Sequence, residues 1–90
     1  MTEVCALLHK GNANYGISFP DFPGCISGGK TAEEAIARGR EALAFHVAGL
    51  IEDGPALPRV RAVEDLQSDP CLREDFEAGV VALVPVEFPR

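Results

Sequence analysis

Between Thr31 and Gly54 the small or apolar residues Ala32, Ile36, Gly39, Leu43, Val47 and Leu50 recur at spacings of three and four, the period of a helix with one face on a core. Ala35, Ala42, His46 and Ile51 widen that stripe, while Arg38, Arg40, Glu41, Glu52 and Asp53 fall largely off it. Thr31, with Glu34 three residues on, forms a capping box. The threonine hydroxyl accepts from the Glu34 amide, and the Glu34 carboxylate reaches back to the Thr31 amide. Glu33 and Glu34 also suit the positive end of the helix dipole. Gly54 and Pro55 supply the stop, a residue that tolerates the left-handed conformation followed by one that cannot continue a helix. No other segment is long and regular enough to lay down a core alone, so the rest of the chain has to cover this one.

A period of two governs the residues before the helix. Glu3 to His9 reads as a strand with Val4, Ala6 and Leu8 on one face and Cys5, Leu7 and His9 on the other, apolar enough on both to be central. Gly11 to Asn14 is turn chemistry, and Tyr15, Ile17 and Phe19 alternate with Gly16 and Ser18 as a strand returning antiparallel. Phe19-Pro-Asp-Phe-Pro-Gly24 makes a corner, and a short third strand through Cys25, Ile26 and Ser27 ends at Gly28 and Gly29.

After the helix, Gly54 to Pro58 is a turn-rich connection. Ala62 to Gln67 can form one or two helical turns, and Asp69 with Pro70 is a cap and first position for a further short helix through Phe76, closed by Gly79. Val80 to Val86 is a β-branched run that reads as a fourth strand, with Pro85 confining it to an edge or a strand end.

The order strand, strand, strand, long helix, strand gives an α+β fold, a small sheet with the helix across one face and short helices before the last strand. If the last strand pairs with the first, the helix makes the crossover and the two strands run parallel. About 22 helical residues span roughly 33 Å, more than strands of about 17 to 20 Å. The C-terminal turns with Leu50 and Ile51 therefore overhang the sheet and pack under the connection or against another subunit.

Composition narrows the function. The 90 residues carry no repeat, linker or low-complexity tract, so residues 1–90 read as one domain, small enough to gain from association with a partner. An N-terminus without a long apolar stretch, and the lack of any run long enough for a bilayer, point to a cytoplasmic protein with no membrane association. Three widely spaced cysteines, Cys5, Cys25 and Cys71, do not suggest a disulfide framework. The net charge of −6 is concentrated: Glu52 to Glu77 holds eight carboxylates against Arg59, Arg61 and Arg73, five of the six excess negative charges. Such a stretch repels phosphate backbones and suits a basic partner.

Two motifs then carry a resemblance. Tyr15-Gly-Ile-Ser-Phe-Pro-Asp-Phe-Pro-Gly-Cys25 followed by Ser27-Gly-Gly-Lys-Thr31-Ala-Glu-Glu-Ala35 resembles the signature of HicB-type antitoxins, and the similarity continues through Pro55–Leu66 to Ala82-Leu-Val-Pro-Val86. The resemblance implies a partial ribonuclease H-like fold without nuclease activity, and a role in binding and neutralising a small HicA-type toxin that cleaves RNA. Many members of that family continue past the last strand into a domain that binds operator DNA. Here the chain stops at Arg90, so operator DNA is expected as a partner only if a C-terminal domain is missing from this chain.

The residues themselves argue for binding over catalysis. A nuclease of this sheet type needs several carboxylates converging on divalent metal, whereas the second and third strands carry none and the others only Glu3 and Glu87. Asp21 alone cannot hold two metals. Cys5 and His9 share a strand face about 13 Å apart, too far for one zinc ion at about 2.0 to 2.3 Å. Gly28-Gly-Lys-Thr31 lacks the first glycine of a phosphate loop. Buried thiols, a histidine near the core edge and core-filling Phe19 and Phe22 account for these residues structurally. No catalytic residue, metal site or cofactor is expected.

For toxin binding the candidates are Asp21, Phe22, Glu64, Asp65, Asp69, Glu74 and Asp75. Asp21 has an alternative role, bonding local backbone amides within its turn. For self-association the candidates are Val80, Val81, Ala82, Leu83 and Val84, an apolar edge that is an aggregation hazard unless paired. A homodimer or higher homo-oligomer is expected on that ground. A homo-oligomeric regulatory or structural module without a toxin partner stands as the alternative function.

Overall fold

Apolar residues on both faces of the first strand require cover on both sides, and that requirement organises the architecture. The computed structural model describes residues 2–54 and 57–88. In chain order they form β1 (Thr2–Lys10), β2 (Tyr15–Ser18), β3 (Ile26–Gly29), α1 (Ala32–Asp53), α2 (Val63–Gln67), a 3-10 turn at Pro70–Leu72, α3 (Arg73–Ala78) and β4 (Val80–Val86). The sheet order is β3-β2-β1-β4, so β1 is central and β4 lies at an edge.

Every neighbouring pair is antiparallel, including β1 with β4, where Val4 sits opposite Val84 and Leu8 opposite Val80. The parallel crossover expected from the sequence does not form. β3 ends beside Tyr15, at the hairpin end of the sheet, and α1 runs from there towards the opposite end. The connection through α2 and α3 then carries the chain back, so that β4 starts opposite Leu8 and returns along β1. The short helices, not the long one, complete the crossover.

The helix-facing side of the sheet supplies Val4, Ala6, Leu8 and Ile17, which cluster with Ala35, Leu43 and Val47 of α1, Phe19, Phe22 and Cys25 of the corner, and Val84 and Val86 of β4. The fully buried helix line is Ala35, Gly39, Leu43 and Val47, the centre of the stripe read from sequence. Ile51 lies outside it and is exposed, whereas Leu50 packs with Leu57 and Val60 of the connection against the core. Cys5, Leu7 and Leu66 are buried outside that cluster. Alternation places Cys5 and Leu7 on the other side of β1, where α3 contacts the strand.

The helix start follows the capping box with one difference. Thr31 Oγ1 accepts from the Glu34 amide at 3.1 Å, but the Glu34 carboxylate accepts from the amide of Lys30, one residue earlier than Thr31. At the other end Gly54 is extended, with φ 173°, and its N–H donates to the Leu50 carbonyl. Its stop therefore uses no left-handed turn, and Pro55 lies outside the described residues. The corner does use one: Gly24 has φ 88°, a conformation with a steric cost for any residue bearing a Cβ.

Candidate partner-binding surface

The corner Phe19–Cys25 is built inward. Phe19 and Phe22 are buried, Phe22 completely, and the Phe22 ring meets His46 edge-on at 6.3 Å and stacks with Phe88 at the same distance. Backbone bonds from the Phe22 amide to the Phe19 carbonyl and from the Cys25 amide to the Phe22 carbonyl close two successive turns. Within the first of these turns Asp21 points into the protein and is 6% exposed.

Asp21 does not bond the turn around it. Its Oδ2 accepts from the Arg61 backbone N–H at 2.8 Å and its Oδ1 from Arg61 Nε at 2.7 Å. Arg61 Nη1 in turn donates to Asp69 Oδ2 at 3.2 Å, while Asp69 Oδ1 accepts from the Cys71 amide at 2.9 Å and so caps the 3-10 turn. One guanidinium thereby ties the corner, the start of α2 and the start of the 3-10 turn together. The hydrogen bonds to Asp21 and then Asp69 hold the Arg61 pKa above its usual value, and the Cys71 amide followed by Arg61 lowers that of Asp69. Among the buried side-chain polar atoms described, none lacks a partner.

Beyond this clamp the connection turns its charge outward. Glu64, Asp65, Glu74 and Asp75 are exposed, and each pair occupies the first turn of its helix, α2 or α3. Asp75 and Leu72 line a groove with Ser18, Pro20, Pro23 and Ile26. Ile26 is 71% exposed, so the groove combines an apolar anchor with one carboxylate, that of Asp75.

Of the residues singled out for a toxin, the structure therefore brings Glu64, Asp65, Glu74 and Asp75 to the surface and leaves Asp69 half-buried against Arg61. Asp21 and Phe22 are buried and occupied internally, and offer a partner no surface. The network's key member, Arg61, was not singled out. Arg61 is one of only three arginines set among the eight carboxylates of the Glu52–Glu77 stretch, which was the available signal. Cys5 and Cys25 are buried thiols, each with its pKa raised by burial and that of Cys5 also by the Asp21 carboxylate. Cys71, expected among the buried thiols, is exposed, because its turn lies on the outside of the connection. Among the described residues no three His, Cys, Asp or Glu side chains are grouped to hold a metal ion, and no helix is long and apolar enough to cross a membrane.

Comparison with known proteins places this geometry. Residues 4–90 match the HicB-like antitoxin of bacterial toxin-antitoxin systems. The chain belongs to the HicB-like antitoxin family. The N-terminal domain of the Burkholderia pseudomallei antitoxin HicB has the same fold, with a TM-score of 0.80 and 35% identity over 97% of this chain and 100% of that one. A longer crystal structure of the same antitoxin matches at 38% identity and a TM-score of 0.79, covering 97% of this chain and 64% of that one. A chain of the HicA3 and HicB3 toxin-antitoxin complex matches at 25% identity and a TM-score of 0.76, over 96% of this HicB-like chain and 99% of the other. A 14.9 kDa protein from the rep-hol intergenic region of Haemophilus phage HP1 is 35% identical over 81 residues, 90% of this chain. This HicB-like chain spans 58% of that relative's length.

Proposed function

We propose that this HicB-like protein is the antitoxin of a type II toxin–antitoxin system that binds and neutralises a small, basic, RNA-cleaving toxin of the HicA type in the cytoplasm. It acts by stoichiometric capture, with no chemistry of its own, on a fold we relate to ribonuclease H without that enzyme's carboxylates. The observation that carries the reading is the exposed acidic surface of α2 and α3, held against the sheet by the Asp21–Arg61–Asp69 clamp. The likeness to a chain of a HicA3–HicB3 complex supports it. Carboxylates placed this way compete with RNA for a basic surface and raise the capture rate. The same charge repels a phosphate backbone, so operator DNA is not assigned to these 90 residues.

Co-expression with a small basic HicA-type toxin, followed by native mass spectrometry and an RNA-cleavage assay with magnesium and with manganese, tests the reading. A hetero-complex that silences cleavage is expected. A chain that assembles only with itself and leaves cleavage untouched would support the second reading, a homo-oligomeric regulatory module, which the bare β4 edge favours.

A further inference from the structure

Gly16 is a strand residue whose missing side chain nothing in the fold requires. Among the described glycines only Gly24 has a positive φ, and a Cβ on Gly16 would meet no heavy atom within 4 Å. Gly28 and Gly29 of β3 differ, since a Cβ on either would stand 2.7 Å from backbone, the Tyr15 carbonyl oxygen or the Ala35 amide nitrogen. A glycine inside a strand weakens it, so Gly16 lowers stability and gains no internal contact by doing so.

Its place in the sheet gives the omission a use. Ile17 faces α1 within the core, so alternation turns Gly16 and Ser18 to the opposite face. Pairing sets Gly16 between His9 of β1 and Gly28 of β3, and sets Ser18 between Leu7 and Ile26. The end of α3 covers the β1 side of these two rows: a Cβ on Gly79 would stand 3.0 Å from Cε1 of His9, and Leu72 and Asp75 stand beside Ser18. Gly16, Ser18 and Gly28 then form a trough on β2 and β3 with no side chain larger than serine, ending at exposed Ile26.

We propose that this trough is where the basic toxin docks: a backbone segment of the toxin lies on Gly16 and Gly28, an apolar side chain packs on Ile26 and Leu72, and a lysine or arginine meets Asp75. The proposal rests on the antitoxin reading and adds a contact surface to the carboxylates of α2 and α3. Strand glycines mark places where another backbone approaches closely, and over them a partner comes nearer than the roughly 10 Å at which faces bearing side chains pack.

Charge selects the occupant. Among the described residues Asp75 is the one charged side chain lining the groove, and Glu74 is exposed next to it, so the fit is to an apolar surface that carries a cation. An RNA strand finds neither a cation for its phosphates nor an exposed aromatic ring for its bases, because Phe19 and Phe22 are buried. A second copy meeting this face on a two-fold axis brings two sets of Glu74 and Asp75 together.

Isothermal titration of the full chain with a small basic HicA-type toxin, with RNA cleavage assayed beside it and Tm measured for each variant, tests the proposal. Gly16→Val fills the trough and Ile26→Ser removes its anchor, both at positions with open space around them. Gly16→Val should hold Tm at or above the wild-type value, since valine suits a strand, while toxin affinity falls about ten-fold or more. Gly16→Ala should lose less. Ile26→Ser should weaken capture by about ten-fold with Tm unchanged, and this keeps the test intact if Gly16→Val does not fold. Wild-type affinity in both Gly16→Val and Ile26→Ser overturns the proposal and leaves the antitoxin reading standing. A lower Tm in Gly16→Ala overturns it too, because the fold itself then requires the glycine. So does a change in the sedimenting mass of the chain alone with toxin affinity untouched, which would give the trough to a second copy. A wild type that captures no toxin overturns the antitoxin reading and this proposal together.

Discussion

Arg61 reaches Asp21 across 40 positions of sequence and meets it twice, through the backbone N–H at 2.8 Å and through Nε at 2.7 Å. The carboxylate is buried, so its desolvation is offset only by these two bonds. Replacing Asp21 with alanine leaves an arginine amide without its acceptor and frees the connection from the corner. We expect Asp21→Ala to cost about 2 kcal/mol and to lower Tm by on the order of 10 °C in a chain of this size. Thermal unfolding followed by circular dichroism measures this. A Tm within a degree or two of wild type would mean that the clamp adds nothing.

The second arm of the clamp sets a pH dependence. Asp69 has its pKa lowered in the folded state from a reference of 3.8, first by the Cys71 amide and then by Arg61. Protons therefore bind the unfolded chain more readily. The stabilisation is present above pH 3.8 and is lost as pH falls through the lower folded value. Asp69→Asn should flatten the loss of stability between pH 4 and pH 2 relative to wild type, as read from urea midpoints at each pH. An identical acid slope in the two proteins would remove Asp69 as a contributor.

Local pattern disclosed most of the fold. The three- and four-residue spacing from Ala32 to Leu50 gave the helix and its buried face, and the period-two alternation of Val4, Ala6 and Leu8 gave a central strand covered on both sides. The direction of β4 was not legible. It depends on how far the segment between Asp53 and Val80 travels, and short helices joined by turns have no periodicity that records an end-to-end displacement. The clamp was hidden for a related reason: nothing near Asp21 in sequence distinguishes a turn-bonding aspartate from one that waits for a guanidinium 40 residues away. Acidic Glu64, Asp65, Glu74 and Asp75 were legible as a surface because helices this short cannot bury adjacent charges.

The three free cysteines differ in exposure, and that difference has a direct chemical readout. Cys5 and Cys25 are buried and their thiols are held above the ordinary pKa, chiefly by burial, whereas Cys71 is exposed. Alkylation proceeds through the thiolate and needs access. A native chain should therefore take up one equivalent of iodoacetamide rapidly, at Cys71, and all three only when unfolded. Peptide mapping that finds Cys5 or Cys25 modified at the same rate would contradict the packing around β1 and the corner.

Gly39 lies where α1 crosses β2. A Cβ there would stand 2.9 Å from both Cδ1 and Cγ2 of Ile17, a side chain only 2% exposed. Helix propensity alone makes Gly39→Ala stabilising by about 1 kcal/mol, but overpacking a filled core costs about 1 to 3 kcal/mol. The second effect should win, leaving Gly39→Ala less stable than wild type by about 1 kcal/mol. The double variant Gly39→Ala with Ile17→Val removes one of the crowded methyl groups and should recover part of that loss. A stabilised single variant would show that Ile17 yields without strain.

On the antitoxin reading proposed above, the carboxylates of α2 and α3 act on a basic toxin before contact, because charges on a surface steer encounter over about a Debye length, near 10 Å at 0.1 M salt. Glu64, Asp65, Glu74 and Asp75 are exposed and lie outside the buried clamp, so reversing them should leave the fold intact. Glu74→Lys with Asp75→Lys is expected to slow association by about ten-fold or more at low ionic strength and to change the dissociation rate much less. The difference should shrink as salt is added. Stopped-flow association at several salt concentrations separates this from a structural effect, which would persist at high salt. Equal association rates at low salt would remove the acidic surface from the encounter and shift attention to the groove beside Ile26.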